Sequence, residues 1–155
     1  MTPKDLDSRL QQLSEDIPDA IRKDLPKILA NEAVGQFYQN FLDEGFFGTG
    51  WKEVKRRQGK TKGAAASRKI LTDTGNLGNS LQEPKNASET FDYKAVVFSD
   101  VPYAEAHNEG TTRAGRNHNV TIPKRQFIGE HKDLDYALVE KATEFIGQRI
   151  DDILK

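Results

Sequence analysis

The stretch DAIRKDLPKILANEAVGQFYQNFLDEG, residues 19–45, carries the longest helical pattern in the chain and decides its fold. Every fourth position is apolar, in the order Ile21, Leu25, Leu29, Ala33, Phe37 and Phe41. This period predicts a long helix with one face against a core. Pro26 predicts either a kink or a restart of the helix in its first turn, and Gly45 predicts its end.

Amphipathic helical patterns also occupy both ends of the chain. Residues 4–17 repeat leucine and isoleucine at helical spacing before Pro18, which predicts a break, and a strong pattern runs from Leu134 to Leu154. Between them, residues 91–99 and 119–122 predict strands, and short helices are expected near residues 77–81 and 102–110. The expected fold is α+β, with long N-terminal and C-terminal helices packed around a small antiparallel sheet. A chain of 155 residues suits a single domain spanning 1–155.

Composition excludes several classes of site. The chain has 23 basic and 24 acidic residues and no cysteine, which excludes disulfides, thiol catalysis and cysteine-ligated zinc. The first ten residues are charged and do not resemble a signal peptide. No apolar run approaches the roughly 20 residues that span a bilayer, so no membrane partner is expected.

Residues 52–69 form the strongest electrostatic feature, with eight basic residues against the single acid Glu53. Glycine and alanine dominate the rest, which predicts a long, mobile basic loop over about 48–69. Trp51 stands at its edge, and basic residues mixed with an aromatic suit nucleic-acid contact. A merely solvated loop and docking onto an acidic protein surface are the alternatives, and together they outweigh nucleic acid. A second basic stretch spans residues 111–125. The candidate partner- or DNA-contacting residues are Trp51, Lys55, Arg56, Arg57, Lys60, Lys62, Arg113 and Arg116.

Two patterns formally suggest a metal-dependent nuclease. His107, His118 and His131 with nearby asparagines mimic a His-Asn-His site, but their spacing is not that of metal ligands on a rigid frame. Pro18-Asp19 followed by Glu53-Val54-Lys55 matches a divalent-metal signature, but these acids are expected at a helix start and in a loop. The chain also has no Gly-x-Ser-x-Gly elbow and no phosphate-binding loop. We therefore expect no catalytic residues, no metal, no cofactor and no enzymatic activity.

Three segments, read in order, carry a family resemblance. They are LTDTGNLGNSL at 71–81, VPYAEAHNEG at 101–110 and IPKRQFIG at 122–129. Their order and spacing resemble the phage virion morphogenesis, or tail-completion, family of tailed bacteriophages, over about residues 25–150. Gln126 departs from the pattern, because the family usually has proline there. The structural motif residues in these segments are Thr74, Gly75, Leu77, Tyr103, His107, Gly110, Pro123 and Phe127.

The physical chemistry of these segments suits a scaffold. Thr74 or Asp73 is expected to cap a helix, Tyr103 and His107 to anchor a helix on the sheet, and Pro123 and Phe127 to close a corner. The resemblance implies a structural protein that completes or joins the tail and neck, the head–tail connection, during virion assembly. It further implies a homo-oligomeric ring, expected to be a hexamer, with other phage neck, tail or head-completion proteins as partners and DNA passing through the channel. Its expected location is the virion, and the host cytoplasm during assembly. The alternative is a DNA-binding module that uses residues 52–69 together with Arg113, Arg116, Lys124 and Arg125.

Overall fold

The computed structural model describes residues 2–59, 62–82 and 88–155. Helix α1 (Pro3–Lys23) begins at a capping box, in which the Thr2 hydroxyl accepts from the Asp5 backbone N–H while the Asp5 carboxylate accepts from the Thr2 backbone N–H. The helix passes through Pro18, so the predicted break there is wrong. Pro18 and Ser14 are both exposed, so water can solvate the Ser14 carbonyl that loses its helical donor.

A single residue, Asp24, separates the end of α1 from helix α2 (Leu25–Asp43). Pro26 lies in its first turn, which confirms the predicted restart. Glu44 ends the helix in a left-handed conformation with φ of 53°, and the predicted stop, Gly45, already belongs to the first strand.

Within the described ranges, the strands form three separate two-stranded antiparallel hairpins. They are β1 (Gly45–Phe46) with β2 (Thr49–Gly50), β3 (Ser88–Phe91) with β4 (Lys94–Val97), and β5 (Thr111–Ala114) with β6 (Val120–Ile122). The prediction of one strand over 91–99 is wrong, because Asp92 and Tyr93 form a turn inside it. This turn is fastened to α1, where the Tyr93 N–H donates to the Arg22 carbonyl and Asp92 pairs with Arg22.

Short helices connect these hairpins, and the longest helix closes the chain. The short helices are α3 (Lys55–Gln58), α4 (Ala64–Ser67), α5 (Asn76–Gln82) and α6 (Ala104–Glu109), and the long C-terminal helix is α7 (Lys132–Leu154). The predicted α+β fold is confirmed, with long helices at both ends of the chain. Two single-turn helices, α3 and α4, lie in the basic segment that the sequence predicted as one loop. None of the helices described is long and apolar enough to cross a membrane.

Helix α2 lies at the centre of the core. Phe37 and Phe41 pack with Leu77 and Leu81 of α5, with Phe127 and with the start of α7. The Phe41 and Phe127 rings, both almost completely buried, lie 5.0 Å apart between centroids. The period-four pattern of residues 21–41 thus supplies the face on which the other elements assemble.

A buried amide fixes the chain where it leaves α2. Asn40, only 3% exposed, donates from Nδ2 to the Phe127 carbonyl at 3.1 Å. Its Oδ1 accepts from the Phe47 N–H at 3.0 Å. One side chain therefore satisfies backbone groups of two separate loops, which keeps buried polar groups paired.

Candidate functional site

The second and third motif segments are joined by backbone contacts. The Asn108 side-chain oxygen accepts from the N–H groups of Phe127 at 2.9 Å and Ile128 at 3.1 Å. The Arg125 N–H donates to the His107 carbonyl at 2.8 Å. Segments that are distant in sequence therefore form one rigid unit beside the core.

The first and second segments meet the basic segment at a pocket of about 390 Å³, which we call the motif pocket. Its walls combine groups from three parts of the chain: Arg56 and Lys69, then Leu71, Asp73, Thr74 and Leu77, and finally Tyr103 and His107. Four of the predicted motif residues are thus brought together. The pocket carries cationic, hydroxyl and aromatic groups on one surface.

Tyr103, predicted to anchor a helix on the sheet, is largely exposed. Its ring is 43% exposed and contacts the His107 ring edge-on, with centroids 5.9 Å apart. Helix α6 buries the small Ala104 instead, so the face that meets the core is offset from the tyrosine. The expectation that Tyr103 anchors the helix as a core residue is therefore wrong.

The His107 imidazole is a neutral group at the back of this pocket. Its Nδ1 is buried and has no hydrogen-bond partner in the described part of the chain. Burial lowers the pKa of His107, and the positive charge of Arg125 lowers it further. The ring therefore contributes shape and a hydrogen-bonding atom rather than charge.

The remaining motif residues fix turns and packing. The Thr74 hydroxyl accepts from the Asn76 N–H at the start of α5, at 3.3 Å, close to the predicted capping role. Gly75 adopts a φ of 75°, and Gly110 a φ of 76°. Pro123 is half-buried after β6, and Phe127 is completely buried.

Trp51 packs against the core. Its indole Nε1 donates to the Gln126 carbonyl at 2.7 Å, and its ring packs edge-on against Phe41 at 5.6 Å. Gln126, the departure from the family pattern, therefore supplies a backbone acceptor to Trp51, and its side-chain amide donates to the Ile128 carbonyl at 3.5 Å. The donor of this tryptophan is satisfied inside the chain and its ring is part-buried against the core, which disfavours stacking on a base.

The basic segment folds back on the end of α2. Arg57 makes a two-pronged contact with the Glu44 carboxylate, at 2.8 and 2.6 Å, and the Ile70 N–H donates to the same carboxylate. Arg56 donates to the carbonyls of Arg68 and Lys69. Both arginines, predicted as partner contacts, thus make contacts within the chain. Lys55 and Lys62 are exposed, and Lys60 lies outside the described residues.

The two basic stretches meet beside Trp51. Lys52 and Lys124 line one pocket, and the Arg125 guanidinium donates twice to the Lys52 carbonyl, at 3.1 and 2.9 Å. Arg125 is only 7% exposed, and burial lowers the pKa of its guanidinium, with a smaller contribution from Arg56. Arg125 therefore cannot contact a polyanion in this fold, in contrast to its predicted membership of a DNA-binding surface. Arg113 and Arg116 are exposed on the hairpin β5–β6 and its turn.

A family comparison covers the whole of this arrangement. The model of the phage virion morphogenesis family matches residues 2–144, which include all three motif segments. The chain belongs to the phage virion morphogenesis family. Its role is accordingly in the assembly of the phage virion. No protein with curated information and no solved structure is significantly similar to the chain.

The other histidines of this virion morphogenesis protein have separate positions. His118 is exposed in the turn after β5. His131, predicted to be a surface residue, is the N-cap of α7: its Nδ1 accepts from the Asp133 N–H, and its ring stacks on Phe47 at 4.5 Å. Across residues 2–59, 62–82 and 88–155, no group of three or more histidine or carboxylate side chains is arranged to hold a metal ion.

Three positioning residues were missed by the sequence reasoning, namely Asn40, Glu44 and Asn108. Asn40 donates to the distant Phe127 carbonyl, whereas Glu44 and Asn108 accept backbone N–H groups from distant parts of the chain. Asn108 carried a signal, because it lies inside the second motif segment between His107 and Gly110. Asn40 and Glu44 carried none, since a polar residue on a predicted helix is usually solvated.

Replacement of Glu44 by glutamine is expected to lower the free energy of unfolding by about 1–2 kcal/mol at neutral pH, because Arg57 and the Ile70 N–H lose a charged acceptor. The hydrogen bond from Arg57 lowers the pKa of Glu44 below its usual value. The stabilisation that the Glu44 carboxylate gives to the fold is therefore present above the unfolded-state pKa, and it is lost as the pH falls through the folded-state pKa. Urea unfolding from pH 7 to pH 3 measures this, and the difference between wild type and variant should shrink with acid.

Asp43→Asn is the matched control for Glu44→Gln. Asp43 is the neighbouring carboxylate, but it is exposed, and within the described residues its side chain accepts only from the Gln39 side chain. Its replacement should change stability by less than about 0.5 kcal/mol. If the difference in unfolding free energy between wild type and Glu44→Gln stays constant at all pH values, the assigned role of the carboxylate is contradicted.

Proposed function

We propose that this protein is a structural subunit that completes or joins the tail and neck of a tailed bacteriophage, acting in an oligomeric ring, and that it is not an enzyme. The observation that carries the proposal is the convergence of the family's motif segments on one rigid unit with an open pocket and cationic surroundings. Such a unit is suited to holding a partner chain in a fixed orientation.

The groups of the motif pocket favour recognition over catalysis. Thr74 is engaged at the start of α5, and Lys69 donates from Nζ to the Leu42 carbonyl at 2.6 Å. His107 is held neutral beside Tyr103. A nucleophilic mechanism needs a nucleophile and a base within hydrogen-bond reach, and these contacts are structural instead.

The charge distribution favours an acidic protein partner over DNA. The two groups best suited to nucleic acid, Trp51 and Arg125, instead donate hydrogen bonds to backbone carbonyls within the chain. The exposed cations of the two basic stretches include Lys55, Arg113 and Arg116. Exposed cations steer association with a complementary acidic protein surface, and DNA is the other polyanion that the experiment below distinguishes.

The double variant Arg113→Glu/Arg116→Glu tests this function in the phage. Exposed charges contribute little to stability, so the variant should fold with an unchanged melting temperature. Supplied to a phage that lacks the wild-type gene, it should yield few infectious particles, with unjoined heads and tails visible by electron microscopy. Arg56 and Arg57 are unsuitable for reversal, because their contacts with Arg68 and Glu44 support the fold.

Lys132→Glu is the control, since it reverses an exposed cation at the start of α7, away from the basic hairpin. It should restore normal particle yield. Copy number in purified virions is the second measurement, with several copies at the tail or neck expected. Absence of the subunit from virions and from assembly intermediates would refute the proposal. If the wild-type protein retains DNA at low salt, and the variant Arg113→Glu/Arg116→Glu loses both this retention and the infectious particles, DNA is favoured as the partner.

A further inference from the structure

Helix α1 carries an apolar stripe that the described part of the chain covers only in part, since Leu13 and Ile17 are half-buried but Leu6 and Leu10 are exposed. Leu6, Leu10, Leu13 and Ile17 recur at helical spacing on one face. Leu6 is 42% exposed and Leu10 is 51% exposed, and Ala20 is the one residue of α1 that the described structure buries. A helix of 21 residues with this pattern normally gains its stability by burying the apolar face.

An open apolar groove lies at the other end of the same helix. It has a volume of about 280 Å³, and its walls come from α1, α2, the hairpin β3–β4 and α7. The residues that form its floor and rim include Ile21, Leu25, Leu29, Tyr93, Val97 and Leu138. Tyr93 is 67% exposed at the rim, so the groove is open to a partner.

We propose that the groove of one subunit binds the N-terminal α1 stripe of a second copy of the same chain. The stripe runs along α1 into the groove, because Ile21 continues the face of Leu10 and Ile17 and also lines the groove. Two partly uncovered apolar surfaces of this kind, one convex and one concave, are complementary within a single sequence.

The charges beside the two surfaces are also complementary. Residues 3–17, which carry the stripe, have four acids against two bases, whereas residues 18–27 and 92–94, which flank the groove, have four bases against three acids, with Arg22 and Lys23 in ion pairs with Asp19 and Asp92. Charge of opposite sign would therefore flank the stripe of one copy and the groove of another. Contacts between two different surfaces of identical subunits are those that close a ring. This inference rests on the proposed oligomeric function and names the surfaces that it would use.

The absence of native cysteine allows a direct cross-linking test. Leu10→Cys and Leu29→Cys are prepared as separate single variants, one with a mass tag, and are mixed under mild oxidation. A disulfide between tagged and untagged chains is necessarily intermolecular. Roughly tenfold more of this mixed disulfide is expected than from a mixture of Ser8→Cys with Leu29→Cys, because cysteines held in contact react at a high effective concentration. Ser8 is exposed and lies on the opposite face of α1.

Light scattering gives the second readout. Concentrated wild-type protein should form oligomers, and Leu10→Glu should shift them to monomers without changing the melting temperature, since Leu10 is half exposed in the monomer. Equal cross-linking by the Leu10 and Ser8 variants, exclusive formation of Leu10–Leu10 disulfides, or a wild-type chain that stays monomeric at every concentration overturns the inference. These outcomes are independent of the proposed function, which fails instead if the subunit is missing from the virion.

Discussion

The variant Phe127→Ala is expected to lose about 4 kcal/mol of unfolding free energy, which is the range for truncation of a fully buried phenylalanine. Phe127 has no exposed surface, and its ring lies 5.0 Å from that of Phe41. Its backbone also carries hydrogen bonds to Asn40 and Asn108. A cavity here would therefore loosen the core and the attachment of the third motif segment together. Since small domains are stable by about 5–15 kcal/mol, the loss is a large share of the total.

Urea denaturation followed by circular dichroism measures the effect of Phe127→Ala. Tyr136→Ala is the matched control, because it truncates an aromatic ring that is 72% exposed on α7. The control should change the unfolding free energy by less than about 0.5 kcal/mol. Similar losses in the two variants would show that Phe127 does not occupy the centre of the core. If Phe127→Ala fails to fold in isolation, Phe127→Leu, with an expected loss of about 1–2 kcal/mol, provides the same comparison.

The second large effect is expected for Gly110→Ala, with a loss of about 3 kcal/mol. Gly110 ends α6 with φ of 76° and ψ of 159°, a region that only glycine adopts without strain. A β-carbon at this position would lie 2.7 Å from the Lys124 backbone nitrogen and 3.0 Å from its α-carbon. Since both neighbours are backbone atoms, the hairpin β5–β6 would have to move to relieve the contact.

Gly147→Ala is the control for Gly110→Ala. Gly147 lies in the middle of α7, and a β-carbon there would meet open space. Alanine should leave the protein unchanged or stabilise it by about 0.5–1 kcal/mol, because glycine is a poor helix former. In thermal melts, the melting temperature of Gly110→Ala should therefore fall, whereas that of Gly147→Ala should stay unchanged or rise. A Gly110→Ala protein with the melting temperature of wild type would show that the turn can relax, and that the motif glycine is not required by the backbone.

Local pattern in the sequence determined the long helices and the turn glycines. The period-four face of residues 21–41 and the pattern over 134–154 depend only on neighbouring residues, so they predict α2 and α7 directly. The motif segments likewise predicted the family, which the match over residues 2–144 confirms. Gly110 could be identified as a required turn because a left-handed backbone favours glycine wherever it occurs.

Only the tertiary structure decided which polar and aromatic side chains are free. Trp51 and Arg125 look like binding residues in the sequence, yet each donates to a backbone carbonyl more than 70 positions away. Glu44 collects Arg57 and the Ile70 N–H only because the chain reverses after α2. Sequence periodicity encodes which face of an element is apolar, but it does not encode which distant carbonyl or carboxylate will lie beside it. The division between internal and exposed cations, on which the candidate partner surface depends, is therefore a property of the folded chain.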